Sequence, residues 1–540
     1  MWRFLAKVAK IPQHFSNWYH FRKALRSRPG ANLVFASFSR RGGTARSGSV
    51  LCEALWDQPY HWLRVAMFRN ALADTFGSGL VGLFQEDTPE AARASLRSLT
   101  LTAEEVLPVT VPSLYQQRAE SLLLHIETAK QLIDMKLPRD LPAHIFYDGV
   151  LKVQRLGLVD CRSVDLSYYL GLVLQYLDFY DEVLGRHDIR AVIVSHPVHF
   201  RYGTLVWVAL QRGIPVFVIN YINETITIRK LSVVEDFHMP VEYPTVSQRD
   251  LLSREKRSRL ASIGRSYLEQ MRQGRVGQIA MVGGYLGEKE RYRDRHRMHK
   301  ILGTDESKPN VVIMAPCWPD FPHMCGRSYY TDFQDWFEMT LTEIEGLKEC
   351  NWILKPHPAE SLYGDKITLK KLVRMRLSAG IFIWPDGVSG NALEQFADCI
   401  VTCVGSAGIE YPAIGKTVLT ASRTIYTEWG FCHQSHDMDA YLSNLGRIAQ
   451  LRSPSSEDQE NAQIFAALTY TSPPETKGER GEYVYPWGLL SYRLWEGLPS
   501  FVATNKGSVD KEIRMMRRWV ESDCHSYNVY KGLNAELWSS

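Results

Sequence analysis

The sequence has no apolar run long enough to cross a bilayer. Spanning takes about 18–20 uninterrupted apolar residues, and the best candidate, AVIVSHPVHF at 191–200, is broken by His and Pro. Its nine cysteines have no C-x-x-C spacing, and H-E-x-x-H is absent, so a zinc site is not expected. Buried free thiols in a reducing compartment are the expectation. G-x-S-x-G is missing, which argues against a serine hydrolase. No dinucleotide-binding glycine loop follows the first strand, and Gly415-Lys416-Thr417 lacks the upstream glycine of a P-loop, because position 410 is Glu. No secretory leader is read at the start. Acidic residues are missing from the first 52 positions: Glu53 is the first acid, after ten Lys and Arg.

What is present is ordinary globular material. The chain has 540 residues, 45% apolar and 23% charged, with a formal charge of +4. That length suggests two to four domains. The composition excludes collagen-like, coiled-coil and wholly disordered chains. The positive charge sits at the N-terminus, while the rest is mildly acidic. In residues 1–28, Met1, Leu5 and Val8 share one helical face and Arg3, Lys7 and Lys10 another. Phe15, Trp18 and Tyr19 follow, then Arg22, Lys23, Arg26 and Arg28. This segment suits either an anionic membrane surface or a helix packed on the body with its basic side in water. Nucleic acid is not expected as a partner, since the body is acidic and no zinc module, RRM or helix-turn-helix pattern occurs.

Along the chain, short apolar runs alternate with amphipathic stretches. Asn32–Ser39 reads as a first strand followed by the loop Arg40-Arg41-Gly42-Gly43. Ala191–Ser195, a helix over Gly203–Arg212, the turn Gly213-Ile214-Pro215 and the strand Val216–Asn220 form a βαβ unit. Residues 286–298 read as a charged linker. The alternation then restarts: strands are expected at Asn310–Ala315, Trp352–Lys355, Ile381–Trp384, Cys399–Cys403 and Thr417–Thr420, with helices between them. The fold expected is α/β, with two Rossmann-like doubly wound domains facing a cleft. The segments are a basic start at 1–30, a first domain at 31–300, a second at 301–484 and a helical tail at 485–540 crossing both. Ligands of open α/β sheets bind at the carboxyl ends of the strands.

Candidate chemistry lies at those ends. Lys355-Pro356-His357-Pro358 closes an apolar strand, with Lys355 and His357 two apart in extended backbone and both suited to a phosphate. Gly405-Ser406-Ala407-Gly408-Ile409-Glu410 enters a helix. Its N–H groups and the Ser406 hydroxyl suit an anion, and Glu410 suits sugar hydroxyls. Arg423 and Tyr426 follow a later strand on the same edge. In the first half, His196 ends a buried strand. Asp148, in Tyr147-Asp148-Gly149, is read as a loop carboxylate able to act as a base on an acceptor hydroxyl.

From 310 to 431, and less securely from 145, the sequence resembles the bacterial capsule and surface polysaccharide biosynthesis proteins that include the Kdo transferases. The residues carrying this are Pro319-Asp320, Asp332-Phe333-Gln334-Asp335-Trp336, Asn351–Pro358, Gly405–Glu410 with Gly415-Lys416, Ile145–Gly149 and Val194-Ser195-His196. The resemblance implies a GT-B glycosyltransferase with a CMP- or UDP-linked sugar as donor and a lipid-linked or growing surface glycan as acceptor. It implies no cofactor or bound metal. The location expected is cytoplasmic, with the basic start fitting an acceptor at the inner face of the membrane. His357 would then contact the donor phosphate and Ser406 the nucleotide. Asp148, His196 and His357 are the expected catalytic residues. Lys355, His357, Ser406, Gly408, Glu410, Arg423 and Tyr426 are expected to bind the donor. Two alternatives on the same fold are a CDP-glycerol-type glycerophosphotransferase and a non-catalytic nucleotide-binding assembly protein. The sequence departs from many retaining GT-B enzymes in lacking glutamates eight apart, since position 402 is Thr.

Overall fold

A computed structural model describes residues 26, 28–38, 47–54, 59–220, 226–238, 243–273, 294–326, 328–358, 360, 366, 368–374, 380–471 and 491–534. The basic segment at 1–25, the loop at 40–43 and most of the expected linker lie outside the described residues.

Two six-stranded sheets organise the chain. The first contains β1 (Ser49–Glu53), β2 (Gly79–Phe84), β3 (Ala103–Val106), β4 (Ile189–Val194), β5 (Val216–Asn220) and β6 (Thr227–Leu231), in the order β3-β2-β1-β4-β5-β6. The second contains β7 (Asn310–Met314), β8 (Asn351–Lys355), β9 (Ile381–Ile383), β10 (Cys399–Thr402), β11 (Thr417–Thr420) and β12 (His433–Gln434), in the order β12-β11-β10-β7-β8-β9. All pairings are parallel except β5 with β6. Numbered from its own first strand, each sheet has the doubly wound order 3-2-1-4-5-6. Its crevice therefore lies beyond the carboxyl ends of the first and fourth strands.

The helices used below are α1 (Pro59–Phe76), α2 (Ala143–Gln154), α3 (Leu166–Arg186), α4 (Phe200–Gln211), α5 (Arg254–Arg272), α6 (Phe333–Gly346), α7 (Ser456–Tyr470), α8 (Lys506–Val520) and α9 (Tyr527–Leu533). The strands form where covered apolar runs fall. All four residues of β10 and of β11 are buried, as helices on both faces require. Burying each Val, Leu or Ile side chain contributes about 1.5–3 kcal/mol. The edge strand β3 alternates instead, with Glu104 and Glu105 among its four residues; such charge discourages pairing with another chain.

Three expectations need correction. Asn32–Ser39 is not a strand: residues 28–38 are helical, and the buried Ala31, Phe35 and Phe38 lie one and two turns apart. The first strand is β1. Asp148 is not in a loop but inside α2, where Ala143 through Leu151 are all buried. Finally, α5, placed by sequence in the first domain, packs on α7. Its Ala261, Leu268 and Met271 join Ile409, Trp429 and Phe465 in one core cluster.

The tail returns to the first sheet. α8 contributes Ile513, Met516 and Trp519 to the core beneath α1. The Lys230 N–H donates to the His525 carbonyl (2.8 Å), and the Asn528 side chain donates to the Leu468 carbonyl of α7 (2.6 Å). The tail thus ties the first sheet to the helix behind the second.

Candidate active site at the seam between the sheets

At the first crevice, Glu53 ends β1 and is buried. Its carboxylate accepts from the Ser195 N–H (2.8 Å) and from the Ser195 hydroxyl. This fixes the turn that carries His196. At the second crevice, the chain leaves β7 in a loop from Ala315 to Tyr330 that crosses toward the first sheet and meets α2.

Consecutive α2 residues project about 100° apart, and two of them each take a partner from that loop region. Tyr147 donates to Asp332 Oδ2 (2.6 Å), and Asp148 Oδ1 lies 2.6 Å from His323 Nδ1. The His323 N–H also donates to Asp148 Oδ2 (3.3 Å). The side chains of Asp148 and His323 are 3% and 1% exposed, so this pair lies within the seam. Gly149 beside them admits the Phe200 ring of α4, which a side chain would overlap.

Asp332 serves two elements. Its Oδ1 caps α6 by accepting from the Asp335 N–H (2.9 Å), and its Oδ2 accepts from Tyr147. Burial raises its pKa from 3.8 to about 6, against the lowering effect of the Tyr147 hydrogen bond.

The same loop reaches the other two sequence candidates. The Phe321 ring packs edge-on to His196 with centroids 5.1 Å apart. Lys152 of α2 lies 3.5 Å from Asp320. Burial lowers the His196 pKa to about 4; Asp320 opposes that and Lys152 adds to it. His357, past the end of β8, has Cys317 Sγ 2.9 Å from its Nδ1. Its pKa is also lowered to about 4 by burial, opposed by Asp320 and assisted by Lys355. Both imidazoles are therefore neutral at pH 7 and offer N–H donors or lone pairs rather than charge. Phe321 has φ +54°, a left-handed conformation that costs a side-chain-bearing residue about 1–2 kcal/mol. Such strain collects at functional sites.

The donor-side candidates are arranged differently. The expected helix after β10 is a single turn, Ala407–Glu410, followed by the 3-10 turn Pro412–Ile414. Ser406 does not cap it; its hydroxyl donates to Glu410 Oε1 (2.7 Å). Gly408 and Tyr426 pack together: a methyl on Gly408 would overlap the Tyr426 ring, and the Tyr426 hydroxyl donates to the Gly405 carbonyl (2.7 Å). Tyr426 is thus a buried support for the turn. Arg423 is exposed, 3.8 Å from Glu428, and its charge is felt by the Cys325 thiol on the seam loop. Lys355 ends β8, half-buried.

One loop, 315–326, therefore joins Asp148 through His323, His196 through Phe321 and Asp320, and His357 through Cys317. Glu53, Lys152, Cys317, His323 and the seam role of Asp332 were missed by sequence reasoning. A signal was available: Cys317, Asp320 and His323 stand three apart just past the apolar strand β7, the position already searched after β8 and β10. Among the described residues, no group of three His, Cys, Asp or Glu is disposed to hold a metal ion.

Two sheets of order 3-2-1-4-5-6, with crevices meeting at one seam and a tail returning to the first, settle the architecture. It is GT-B. No family model matches the chain, and no curated protein matches it. Among solved structures, it is similar to the KpsC beta Kdo 2,4 transferase of Thermosulfurimonas dismutans, at 16% identity over 54% of this chain and 87% of that one, with TM-score 0.34. It is also similar to the UDP-GlcNAc 2-epimerase of Neisseria meningitidis bound to UDP-GlcNAc, at 11% identity over 86% and 100% of the two chains, TM-score 0.28. A third likeness is to the glycotransferase of kitacinnamycin, at 12% identity over 86% and 100%, TM-score 0.22. Among the described residues, no helix is long and apolar enough to cross a membrane.

Proposed function

We propose that this GT-B chain is a glycosyltransferase that moves a sugar from a nucleotide-sugar donor to a glycan or lipid-linked acceptor of a surface polysaccharide. The observation that carries this reading is the convergence of Asp148, His196 and His357 on one loop at the meeting of both crevices. Transfer of a glycosyl group needs a proton acceptor on the acceptor side and stabilisation of the departing phosphate. Asp148 and its partner supply the first. Lys355 supplies positive charge for the second, and His357 supplies a hydrogen bond. The Ser406–Glu410 turn follows β10, on the same carboxyl edge of the second sheet, and seats the nucleotide. In this reading no bound metal is needed, because fixed donors and Lys355 meet the developing charge. The donor is a CMP- or UDP-linked sugar, the latter in keeping with the UDP-GlcNAc held by the Neisseria epimerase. The basic residues at 1–28 hold the enzyme at an anionic membrane face where its acceptor lies.

A thermal-shift panel of CMP, UDP, CDP and GDP on the wild type and on His357→Ala tests this. A ligand that binds only the native state at a hundred times its dissociation constant adds about 2.7 kcal/mol. The expected result is stabilisation by one nucleotide that is lost in the variant. No response to any of the four would remove the transferase reading and leave the Lys355–Pro358 corner a structural feature.

A further inference from the structure

Asp148 is engaged on both of its oxygens by one residue. Both of its oxygens face His323: one meets Nδ1 at 2.6 Å and the other the backbone N–H at 3.3 Å. His323 Nε2 is buried and has no hydrogen-bond partner among the described residues. His144 and Tyr147 ring the same imidazole, with centroids 5.9 Å and 5.7 Å away, and His238 lies beyond His144 at 6.1 Å. A carboxylate that accepts from Nδ1–H holds the proton there and leaves the lone pair on Nε2. Asp148 lies on α2, before β4 of the first sheet, and His323 on the loop after β7 of the second, so the pair forms where the two halves of the chain meet.

We propose that His323 is the catalytic base of the transfer and Asp148 its positioning residue, a dyad assembled where the two halves of the chain meet. This rests on the glycosyltransferase reading and assigns its proton acceptor. In the step, the acceptor O–H bond breaks and its proton goes to His323 Nε2. The acceptor oxygen bonds to the anomeric carbon, and the bond from that carbon to the phosphate oxygen breaks. The leaving nucleotide keeps that electron pair. The positive charge gained by the imidazole is balanced by Asp148.

The test uses the full-length protein and CMP-Kdo, UDP-GlcNAc and UDP-glucose as probes, reading nucleotide release with water as acceptor. General-base catalysis contributes about 10²–10⁴-fold. His323→Gln is expected to lower kcat by at least 100-fold with the donor KM within threefold of wild type. Asp148→Asn is expected to lower kcat and shift the acid limb of the pH–rate profile, which a merely structural role would leave in place. Histidine ¹⁵N NMR of the wild type, read against His323→Gln to assign the signal, should show Nδ1 protonated and Nε2 bare at pH 7.5. Nε2 protonated in that spectrum overturns the proposal. So does a His323→Gln enzyme with more than one third of wild-type kcat. A wild type that binds a nucleotide but releases none from any probe removes the transferase reading, and the dyad's role with it. The NMR arm needs no folded variant at position 148, so a collapsed Asp148→Asn leaves the test intact.

Discussion

Replacing Asp332 with Asn should flatten the stability of the protein between pH 4 and pH 7. The carboxyl titrates at 3.8 when solvated and at about 6 in the fold, because burial disfavours its charged form. Between those values the native state holds a proton that the unfolded state has released. The group's contribution is therefore fully present below 3.8 and is lost as pH rises through about 6. A rise of about two units corresponds to roughly 3 kcal/mol at 1.36 kcal/mol per unit. Asn keeps the shape, still accepts from the Asp335 N–H as a good helix cap, and can donate to the Tyr147 hydroxyl, but it does not titrate. The assay is the thermal midpoint of wild type and Asp332→Asn every half unit from pH 4 to 7.5. His196 and His357 act in the opposite sense, since buried neutral imidazoles add stability as pH rises from about 4 to 6.5. They are common to both proteins and cancel in the difference. The wild-type advantage should decline by roughly 3 kcal/mol across the window. That is on the order of 6–12 °C for a unit of 150–250 residues, at about 2–4 °C per kcal/mol. A difference that stays constant from pH 4 to 7 would refute the argument that burial of this carboxyl sets its pKa.

Two substitutions away from the seam test the scaffold. Gly264→Ala puts a methyl against the Gln463 backbone carbonyl where α5 crosses α7; backbone cannot yield as a side chain can, so a loss of about 1–3 kcal/mol or more is expected by chemical denaturation. Lys531→Ala strips the cation from Glu512, 2.7 Å away and 3% exposed, leaving only the Tyr527 hydroxyl on that carboxylate among the contacts described, and should cost about 3–5 kcal/mol, loosening the tail before the second sheet in hydrogen exchange.

How much of this was legible in the sequence depended on burial. Strands β4, β7, β8, β10 and β11 announced themselves because a parallel strand covered on both faces must be apolar throughout. The same physics hid α2. A helix buried along Ala143–Leu151 has no polar face, so its 3.6-residue period is invisible and Asp148-Gly149 looked like a turn. The helix at 28–38 was misread for the opposite reason: the local run Leu33-Val34-Phe35 is strand-like in composition, while the spacing of Ala31, Phe35 and Phe38 carries the helical signal. Lys355 and His357 could be picked out as candidates because a strand end and two prolines hold them. His323 could not, because its contact with Asp148 spans 175 residues. Spacing along the chain cannot report a contact that only the meeting of two domains creates.

The costs at the seam share one location, and that is informative. A left-handed Phe321, a neutralised His196 and His357, a carboxyl raised to about 6 and an unpartnered His323 nitrogen all lie on or against the stretch from 315 to 332. Each costs stability in some range of pH, the imidazoles in acid and the carboxyl toward neutrality, and a protein selected for stability alone would not gather them on one connection between β7 and α6. An apolar loop there would pack the domains at less cost. On the proposed dyad, a loop that holds groups from both halves of the chain does something an apolar one cannot: it ties the chemistry to their contact. With the domains apart, Asp148 loses His323 and Tyr147 loses Asp332, so the base is neither oriented nor balanced in charge. On the transferase reading, a donor held by the second half alone would then meet water with no base to activate it. On the proposed dyad, the separation of Asp148 and His323 between domains is what protects the donor from hydrolysis. Moving both members onto one domain should raise water-dependent nucleotide release even where transfer is kept.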